Sequence, residues 1–152
     1  VFITLYFVAK YYKEDMLLWV ELTAPSWPLA QAIGRWGNYF NSEAHGVETT
    51  LPWAIYADGK WVHPTFLYES IWNLLVLAVL FFVVRKLAKN FDGVVFFAYL
   101  ALYSIGRLFI ENLRLDSVLN LGNLHIAELV SLLVLAFSVT MIFLRVKKSK
   151  AE

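Results

Sequence analysis

GRWGNYFNSEAHG, residues 34–46, is a polar, glycine-rich stretch between segments that are strongly apolar. Its three glycines permit close backbone approach and positive φ, so a loop here could bring the polar side chains between them to one small ligand. Arg35 and Glu43 are the first candidate contact groups. The alternative is a capped connector in which Arg35 and Glu43 simply pair with each other. A short glycine-rich motif alone does not distinguish the two.

Composition points to a protein embedded in a membrane. The 152 residues are 60% hydrophobic and 17% aromatic, against about 45–50% apolar content in ordinary soluble domains. The net charge of +1 gives no reason to expect a nucleic-acid partner. Cysteine is absent, which excludes a disulfide framework, a thiolate metal site and a cysteine nucleophile within this sequence. Because Val1 lies directly in an apolar run without an initiator methionine, we expect an N-terminally truncated sequence.

The apolar runs predict an all-α membrane protein, a polytopic transmembrane helix bundle that forms a single domain over residues 1–152. Residues 1–9 predict the last part of a spanning helix, because a full span needs ~20 residues. Residues 16–33 predict a broken helix, since two prolines interrupt the apolar run. Non-helical backbone at membrane depth is tolerated only against protein or a wet cavity, so the break suggests a cavity wall. Three complete spans are predicted at residues 65–84, 94–110 and 124–144.

Residues 47–64, VETTLPWAIYADGKWVHP, predict a small extramembrane or interfacial hairpin. The turn signal is Asp58-Gly59 between two short β-prone runs. Trp53, Tyr56 and Trp61 suit the headgroup region, where amphipathic rings collect. Ordinary packing within the hairpin explains them equally well. Together, residues 34–62 are predicted to form a signature loop and an extracytoplasmic segment.

Cations mark alternate ends of the apolar segments and predict the orientation. If each segment crosses the membrane once, all of these cations fall on one side, which the positive-inside rule makes cytoplasmic. The glycine-rich stretch, the hairpin and the 111–123 loop then share the outer face, and the C-terminus is cytoplasmic. The cations are Lys10, Lys13, Arg85, Lys86, Lys89, Arg145, Lys147, Lys148 and Lys150.

A polar stripe is predicted near the outer end of the second complete span. At ~100° per residue, Tyr103, Arg107, Glu111 and Arg114 project from one face of a helix. Ionisable groups within spans cost about 2.5–3.5 kcal/mol each at mid-helix and indicate function by default. The alternative is an Arg107–Glu111 pair at i,i+4 that snorkels to water. Two cations exceed one carboxylate, so the stripe would also attract an anion.

Glu69 lies one turn inside the first complete span, with Asn73 on the same face at i+4. A buried carboxylate without a cation is costly, so we expect Glu69 to pair with Arg35 or Arg107.

The histidines are weaker candidates. His63, which precedes a proline, is expected to start a helix or form hydrogen bonds rather than act in catalysis. His45 and His125 are expected at the interface, and no metal site is expected from three scattered histidines.

An outer pocket with several arginines, flanking carboxylates and tyrosines suits a phospholipid headgroup. Guanidinium groups bind phosphate through paired hydrogen bonds and can stabilise charge on a leaving phosphate. The rival class is a transporter or channel subunit with an arginine- and glutamate-lined cavity. Against it, the arginines concentrate near the outer face rather than along a path through the membrane. A third possibility is a lipid-binding subunit without chemistry.

Several motifs in order resemble the prolipoprotein diacylglyceryl transferases of bacteria. GRWGNYFNSEAHG resembles the signature of that family, and TLPW at 50–53 and HPTFLYES at 63–70 resemble the motifs that follow it. A later Y-x3-R-x3-E-x2-R-x-D pattern is matched by Tyr103, Arg107, Glu111, Arg114 and Asp116. The resemblance covers the C-terminal part of a roughly seven-helix fold.

The resemblance implies transfer of the diacylglyceryl group of phosphatidylglycerol to the lipobox cysteine of a prolipoprotein, without a cofactor, at the outer face of the bacterial plasma membrane. A thioether forms and glycerol phosphate leaves. The oligomeric state is left open. Implied catalytic residues are Arg107, Glu43, Tyr103 and Glu111. Implied phosphatidylglycerol-binding residues are Arg35, Asn38, Gly46, Glu69, Arg107 and Arg114.

The implied roles follow the chemistry of each side chain. Arg35 and Arg107 would hold the phosphate and stabilise it as it departs. Asn38 and Tyr103 would donate hydrogen bonds to headgroup oxygens, and the glutamates would orient these groups. A general base would take the proton of the thiol.

Two features depart from the family pattern. The His-Gly-Gly motif of the family does not occur in this sequence, so this fragment alone is expected to be inactive. At residues 124–129, LHIAEL stands where many relatives have an arginine and a glutamine. The importance of His125 and Glu128 is therefore left open.

Overall fold

A computed structural model describes residues 2–41, 43, 46–88, 93–114, 120–121 and 124–149. Within these residues, the chain forms helices joined by two short antiparallel hairpins. The helices are α1 (Phe2–Tyr12), α2 (Met16–Thr23), α3 (Ser26–Phe40), α4 (Thr65–Val79), α5 (Arg85–Leu87), α6 (Val94–Glu111) and α7 (Ile126–Ser149), and the strands are β1 (Ile55–Ala57), β2 (Lys60–Val62), β3 (Asn120–Leu121) and β4 (Leu124–His125).

Three helices are long and apolar enough to cross a membrane, which confirms a helical membrane protein with three complete spans. They are Thr65–Leu87, Val94–Glu111 and Ile126–Lys148. The first continues from α4 into α5 through a π-helical segment, Leu80–Val84. The last span starts at Ile126 rather than at 124, because Leu124–His125 pairs with Asn120–Leu121 in a hairpin that the sequence did not predict. Of the three spans, α6 is the most buried and α7 the least.

The broken helix predicted over residues 16–33 is present. α2 starts where the Asp15 side chain accepts a hydrogen bond from the backbone N–H of Leu17 (3.0 Å). α2 ends at Thr23, and α3 begins at Ser26, directly after Pro25. Pro28 lies in the first turn of α3, where the backbone N–H groups have no partner within the helix and a proline is tolerated.

The prediction that a glycine-rich loop starts at Gly34 is wrong. α3 continues to Phe40, so Gly34 and Gly37 lie inside a helix, and neither has a positive φ. A glycine in a helix interior costs only about 1 kcal/mol relative to alanine, and packing of α3 against α4 outweighs that cost. The two helices are joined through Ser70, whose Oγ donates to the carbonyl of Ala32 (3.0 Å).

The hairpin predicted at Asp58-Gly59 is confirmed. β1 pairs with β2 in the register Ile55 to Val62, and both turn residues have positive φ, 49° and 81°. This is the geometry of a two-residue type I′ turn. The predicted interfacial rings, Trp53, Tyr56 and Trp61, are all more than half exposed.

Outside the spans, the hairpin also carries an ion pair. The Glu48 carboxylate binds the ammonium of Lys60 and, through this hydrogen bond, raises the pKa of Lys60. Both side chains are exposed, so the pair adds little stability.

Helices α4 and α6 approach closely where Trp72 meets Gly106. The indole Nε1 of Trp72 donates to the carbonyl of Leu102 on α6 (3.0 Å). A Cβ at Gly106 would collide with the indole ring, so only glycine permits this spacing. The contact fixes the distance between the two helices that carry most of the buried charges.

The start of α6 is bound to α2. The carboxylate of Glu21 accepts a hydrogen bond from the backbone N–H of Gly93, the N-cap of α6. A carboxylate at this position satisfies an N–H that has no partner within the helix and complements the helix dipole. The glutamate in the broken helix therefore positions α6 from the end opposite Arg107.

Candidate functional site

Glu69 is the centre of a charged cluster at one end of the spans. It lies in the second turn of α4 and is only 5% exposed. Its Oε1 is 2.9 Å from Nη1 of Arg114 and 3.4 Å from Nη1 of Arg107, and its Oε2 pairs with Nε of Arg35. The ion pair that the sequence predicted for Glu69 is present. Three guanidinium groups from separate parts of the chain meet at one carboxylate.

Arg107 also binds Glu111, one turn further along α6. Its Nη2 lies 2.9 Å from Oε2 of Glu111, and Glu111 is only 1% exposed. The i,i+4 pair exists, but its carboxylate does not reach water as the snorkelling alternative requires. Among the residues that the structure describes, the cluster contains three arginines and two glutamates in a partly buried place. Guanidinium groups gathered in this way can bind a phosphate through paired hydrogen bonds.

Arg114 reaches the cluster from outside the helix. α6 ends at Glu111, and a turn follows in which Arg114 N–H donates to the Glu111 carbonyl (3.1 Å). The expectation that Arg114 lies on the same helical face as Arg107 was therefore wrong. The chain instead leaves the helix and pairs with the backbone of Gly46, and this pairing turns the Arg114 side chain back towards Glu69.

Gly46 joins three segments through its backbone. Its N–H donates to the carbonyl of His63 (3.1 Å), and the N–H of Val47 donates to the carbonyl of Leu113 (2.9 Å). A Cβ on Gly46 would lie 2.6 Å from Cβ and 2.7 Å from the carbonyl oxygen of His63. Backbone atoms cannot move aside as a flexible side chain can. Position 46 thus requires glycine, and it fixes the turn that carries Arg114.

We expect Gly46→Ala to destabilise the protein by about 1–3 kcal/mol, the usual cost of overpacking. For a protein of this size, each kcal/mol lowers Tm by about 2–4 °C, measurable by thermal unfolding in detergent. Gly37→Ala is the matched control. A Cβ there meets no atom within 4 Å, so alanine should leave Tm unchanged or raise it. Equal Tm values for the two variants would contradict this account.

A narrow cleft opens beside the cluster. Its volume is about 10 Å³, roughly the space needed for one water molecule. It lies between α3, α4 and α6. The lining residues are Arg35, Glu69, Trp72, Asn73, Tyr103, Gly106, Arg107 and Ile110.

Two predicted site residues lie apart from the cleft. Asn38 is half-buried near the end of α3, and Glu43 is exposed beyond it. Neither lines the cleft. Among the described residues, Arg35 pairs with Glu69 and not with Glu43. This contradicts the alternative in which Arg35 and Glu43 pair with each other in a capped connector. Asp116 and His45 lie outside the described residues.

His63 has the hydrogen-bonding role expected of it. Its Nδ1 lies 3.1 Å from the hydroxyl of Tyr68, which also accepts a hydrogen bond from Nε1 of Trp53 (2.8 Å). These contacts fasten the hairpin to the start of α4. Of the two residues at the departure from the family pattern, His125 belongs to β4 and Glu128 to the first turn of α7.

Sequence reasoning missed two of the residues that shape the cleft, Trp72 and Gly106. The available signal was a glycine directly before Arg107 in an otherwise apolar helix, since a glycine in such a helix often marks a close approach. The sequence alone did not show which aromatic ring would fill that space.

The fold and the site define a class: a polytopic helical membrane protein with a partly buried cluster of arginines and glutamates at one end of its spans. The sequence profile of the family described as prolipoprotein diacylglyceryl transferase matches residues 1–144. The chain belongs to that family, as its motifs indicated.

Curated relatives agree. A phosphatidylglycerol–prolipoprotein diacylglyceryl transferase of Clostridium botulinum (strain Loch Maree / Type A3) is 45% identical over 97% of this chain and 61% of its own length. The corresponding protein of Clostridium novyi (strain NT) is 44% identical over 96% of this chain and 60% of its own. Phosphatidylglycerol–prolipoprotein diacylglyceryl transferase 1 of Clostridium perfringens (strain 13 / Type A) is 41% identical over 99% of this chain and 61% of its own length. The chain thus spans about three-fifths of the length of these relatives.

Proposed function

We propose that the protein transfers the diacylglyceryl group of phosphatidylglycerol to the thiol of a lipobox cysteine in a prolipoprotein. The observation that carries the proposal is the meeting of Arg35, Arg107 and Arg114 at the buried carboxylate of Glu69, in a member of this family. The names of the relatives include both phosphatidylglycerol and prolipoprotein.

The reaction is a displacement at carbon. The thiolate sulfur attacks the glyceryl carbon that bears the phosphate ester, a C–S bond forms, and the C–O bond to phosphate breaks. The electron pair of that bond leaves with the oxygen of glycerol phosphate. Arg35 and Arg107 stabilise the charge that develops on this oxygen. A general base takes up the proton of the thiol, because the thiolate is the nucleophile.

The carboxylates hold the guanidinium groups ready for the substrate. Arg107 is bound on one nitrogen by Glu69 and on the other by Glu111, which fixes the plane of its guanidinium. Groups oriented in advance need little reorganisation during the reaction. Tyr103 lines the same cleft, and its hydroxyl donates a hydrogen bond to a headgroup oxygen.

Substrate entry requires the cluster to open. A cleft of about 10 Å³ is far too small for a phospholipid headgroup, and Glu69 occupies the hydrogen-bonding positions of the arginines. The lipid phosphate therefore replaces Glu69 as acceptor for at least one guanidinium group. Asn38 and Glu43 contact the headgroup from outside the cleft, and Gly46 acts through its backbone by holding Arg114.

The orientation is also part of the proposal. The proposed orientation puts Lys10 and Lys13, Arg85 and Lys86, and the C-terminal cations of α7 on one side of the membrane. The positive-inside rule makes that side the cytoplasm. The arginine cluster would then face the extracytoplasmic side of the bacterial plasma membrane, where a secreted precursor presents its lipobox.

The transporter alternative has weaker support. Within the three spans, the acidic and basic residues lie near the helix ends: Glu69, Arg85 and Lys86 in the first, Arg107 and Glu111 in the second, and Glu128, Arg145, Lys147 and Lys148 in the third. A path for ions or charged solutes would carry such groups towards mid-membrane.

The test uses the protein as its natural gene encodes it, purified and reconstituted in vesicles of phosphatidylglycerol with a lipobox peptide. We expect mass spectrometry to find a peptide heavier by one diacylglyceryl group, with an equal amount of glycerol phosphate released. A peptide with serine in place of cysteine is the control and should gain no mass. Solute flux through the vesicles without thioether product would overturn the proposal in favour of transport.

A further inference from the structure

Asn73 is a buried polar residue next to the arginine cluster. It lies one helical turn after Glu69 on α4, is 3% exposed and lines the same cleft. Its Oδ1 atom is fully buried and has no hydrogen-bond partner among the described residues. Buried side-chain acceptors in proteins nearly always have a donor, so an unpaired one that faces a cleft indicates a ligand that donates a hydrogen bond.

Three of the side chains that line the cleft already have other hydrogen-bond or ion-pair partners. Nε1 of Trp72 donates to the carbonyl of Leu102. Arg107 binds Glu69 and Glu111, and Arg35 binds Glu69. The cleft volume of about 10 Å³ admits one group of the size of a hydroxyl or a water molecule.

The position of Asn73 relative to the arginines favours a headgroup hydroxyl over water. Asn73 lies four residues after Glu69 on the helix, a rise of about 6 Å. If a phosphate takes the place of Glu69 among the guanidinium groups, a hydroxyl two or three carbons from its ester oxygen can reach that depth. Phosphatidylglycerol carries such hydroxyls on its terminal glycerol.

We propose that Asn73 accepts a hydrogen bond from a hydroxyl of the donor lipid's headgroup and so selects lipids with polyol headgroups. The inference rests on the proposed function and deepens it. The arginines bind the phosphate of any phospholipid, whereas Asn73 distinguishes one headgroup from another. A lipid without the hydroxyl would leave this buried acceptor unpaired, and the site would therefore discriminate against that lipid.

The experiment compares two donor lipids with identical acyl chains. One is phosphatidylglycerol, and the other is phosphatidylpropanol, which has the same phosphodiester and carbon count in the headgroup but no hydroxyl. We expect the wild-type protein to prefer phosphatidylglycerol by about tenfold or more in kcat/KM for thioether formation. In Asn73→Leu, the preference should fall to about one, mainly through slower reaction of phosphatidylglycerol.

Two further variants separate the contact from folding. Asn73→Asp keeps an acceptor oxygen and should keep the preference for phosphatidylglycerol. Ser138→Ala removes a buried polar group from α7, where the Oγ donates to the Val134 carbonyl (2.7 Å). It should change neither the preference nor the rate by more than about twofold.

The outcomes separate the two proposals. No thioether product from the wild-type protein with either lipid would overturn the proposed function, and the role of Asn73 with it. Product formation with the same lipid preference in wild type and Asn73→Leu would overturn the role of Asn73 alone, and would indicate that a water molecule pairs with its Oδ1. A wild-type protein that uses both lipids equally would also refute the selection of polyol headgroups.

Discussion

Replacing Arg107 with alanine should lower diacylglyceryl transfer by about 100-fold or more, the usual loss when one preorganised donor to a developing oxyanion is removed. Arg107 contacts both buried carboxylates of the cluster, so its loss leaves Glu69 and Glu111 short of a cation and the phosphate short of a donor. Membrane insertion should remain, because α6 keeps its apolar length. Product formation per inserted protein, measured by mass spectrometry and quantitative immunoblot, tests the prediction.

Arg85→Ala is the matched control for Arg107→Ala. Its guanidinium lies 5.6 Å from the ring centre of Phe81, at the end of the first span opposite Glu69, so its removal should leave transfer within about twofold of wild type. Arg107→Lys should fall between the two, because an ammonium keeps the charge but cannot present a planar fork to two carboxylates. Normal conversion of a lipobox peptide by Arg107→Ala would refute the phosphate-holding role.

Gly106→Ala should disturb the site without removing any charged group. The added methyl would collide with the indole of Trp72, which forces α4 and α6 apart. Overpacking of this kind costs about 1–3 kcal/mol. Arg107 is the next residue, and a displacement of about 1 Å can cost up to about 100-fold in rate. We expect a Tm lower by about 2–12 °C and transfer reduced at least about tenfold.

A second substitution shows whether the collision is the cause. Trp72→Phe removes the indole Nε1, the atom that a Cβ at Gly106 would meet first, so the double variant Gly106→Ala, Trp72→Phe should recover part of the lost Tm and activity. Residues in contact give such non-additive effects, whereas distant ones do not. Gly34→Ala serves as the control, because a Cβ at Gly34 meets no atom within 4 Å. Additive effects of Gly106→Ala and Trp72→Phe would show that the two residues do not act together.

Local chemistry predicted a large part of this protein. Long apolar runs have no stable place in water, so the three spans could be found from composition and length. Asp58-Gly59 specified a hairpin because both residues tolerate the positive φ of a tight turn. The pairing of Glu69 with arginines followed from the cost of a buried, unpaired carboxylate. Each of these inferences depends on neighbouring residues or on the membrane as solvent.

The errors occurred where local signals were weak. Gly34 and Gly37 suggested a loop, yet the tertiary packing of α3 outweighs their low helix propensity. Arg114 was placed on a helix that in fact ends at Glu111, since helix ends are poorly specified by periodicity. In both cases, contacts between distant segments decided the backbone conformation.

The sequence by itself determined that the chain spans a membrane, where its spans lie and which charged groups seek one another, because hydropathy, turn geometry and charge are properties of the residues. Only the tertiary structure decided that three guanidinium groups meet at Glu69, that Gly106 admits Trp72 and that Asn73 faces the same cleft. The physical reason is that close packing depends on the shapes of side chains far apart in the chain, which no local pattern records.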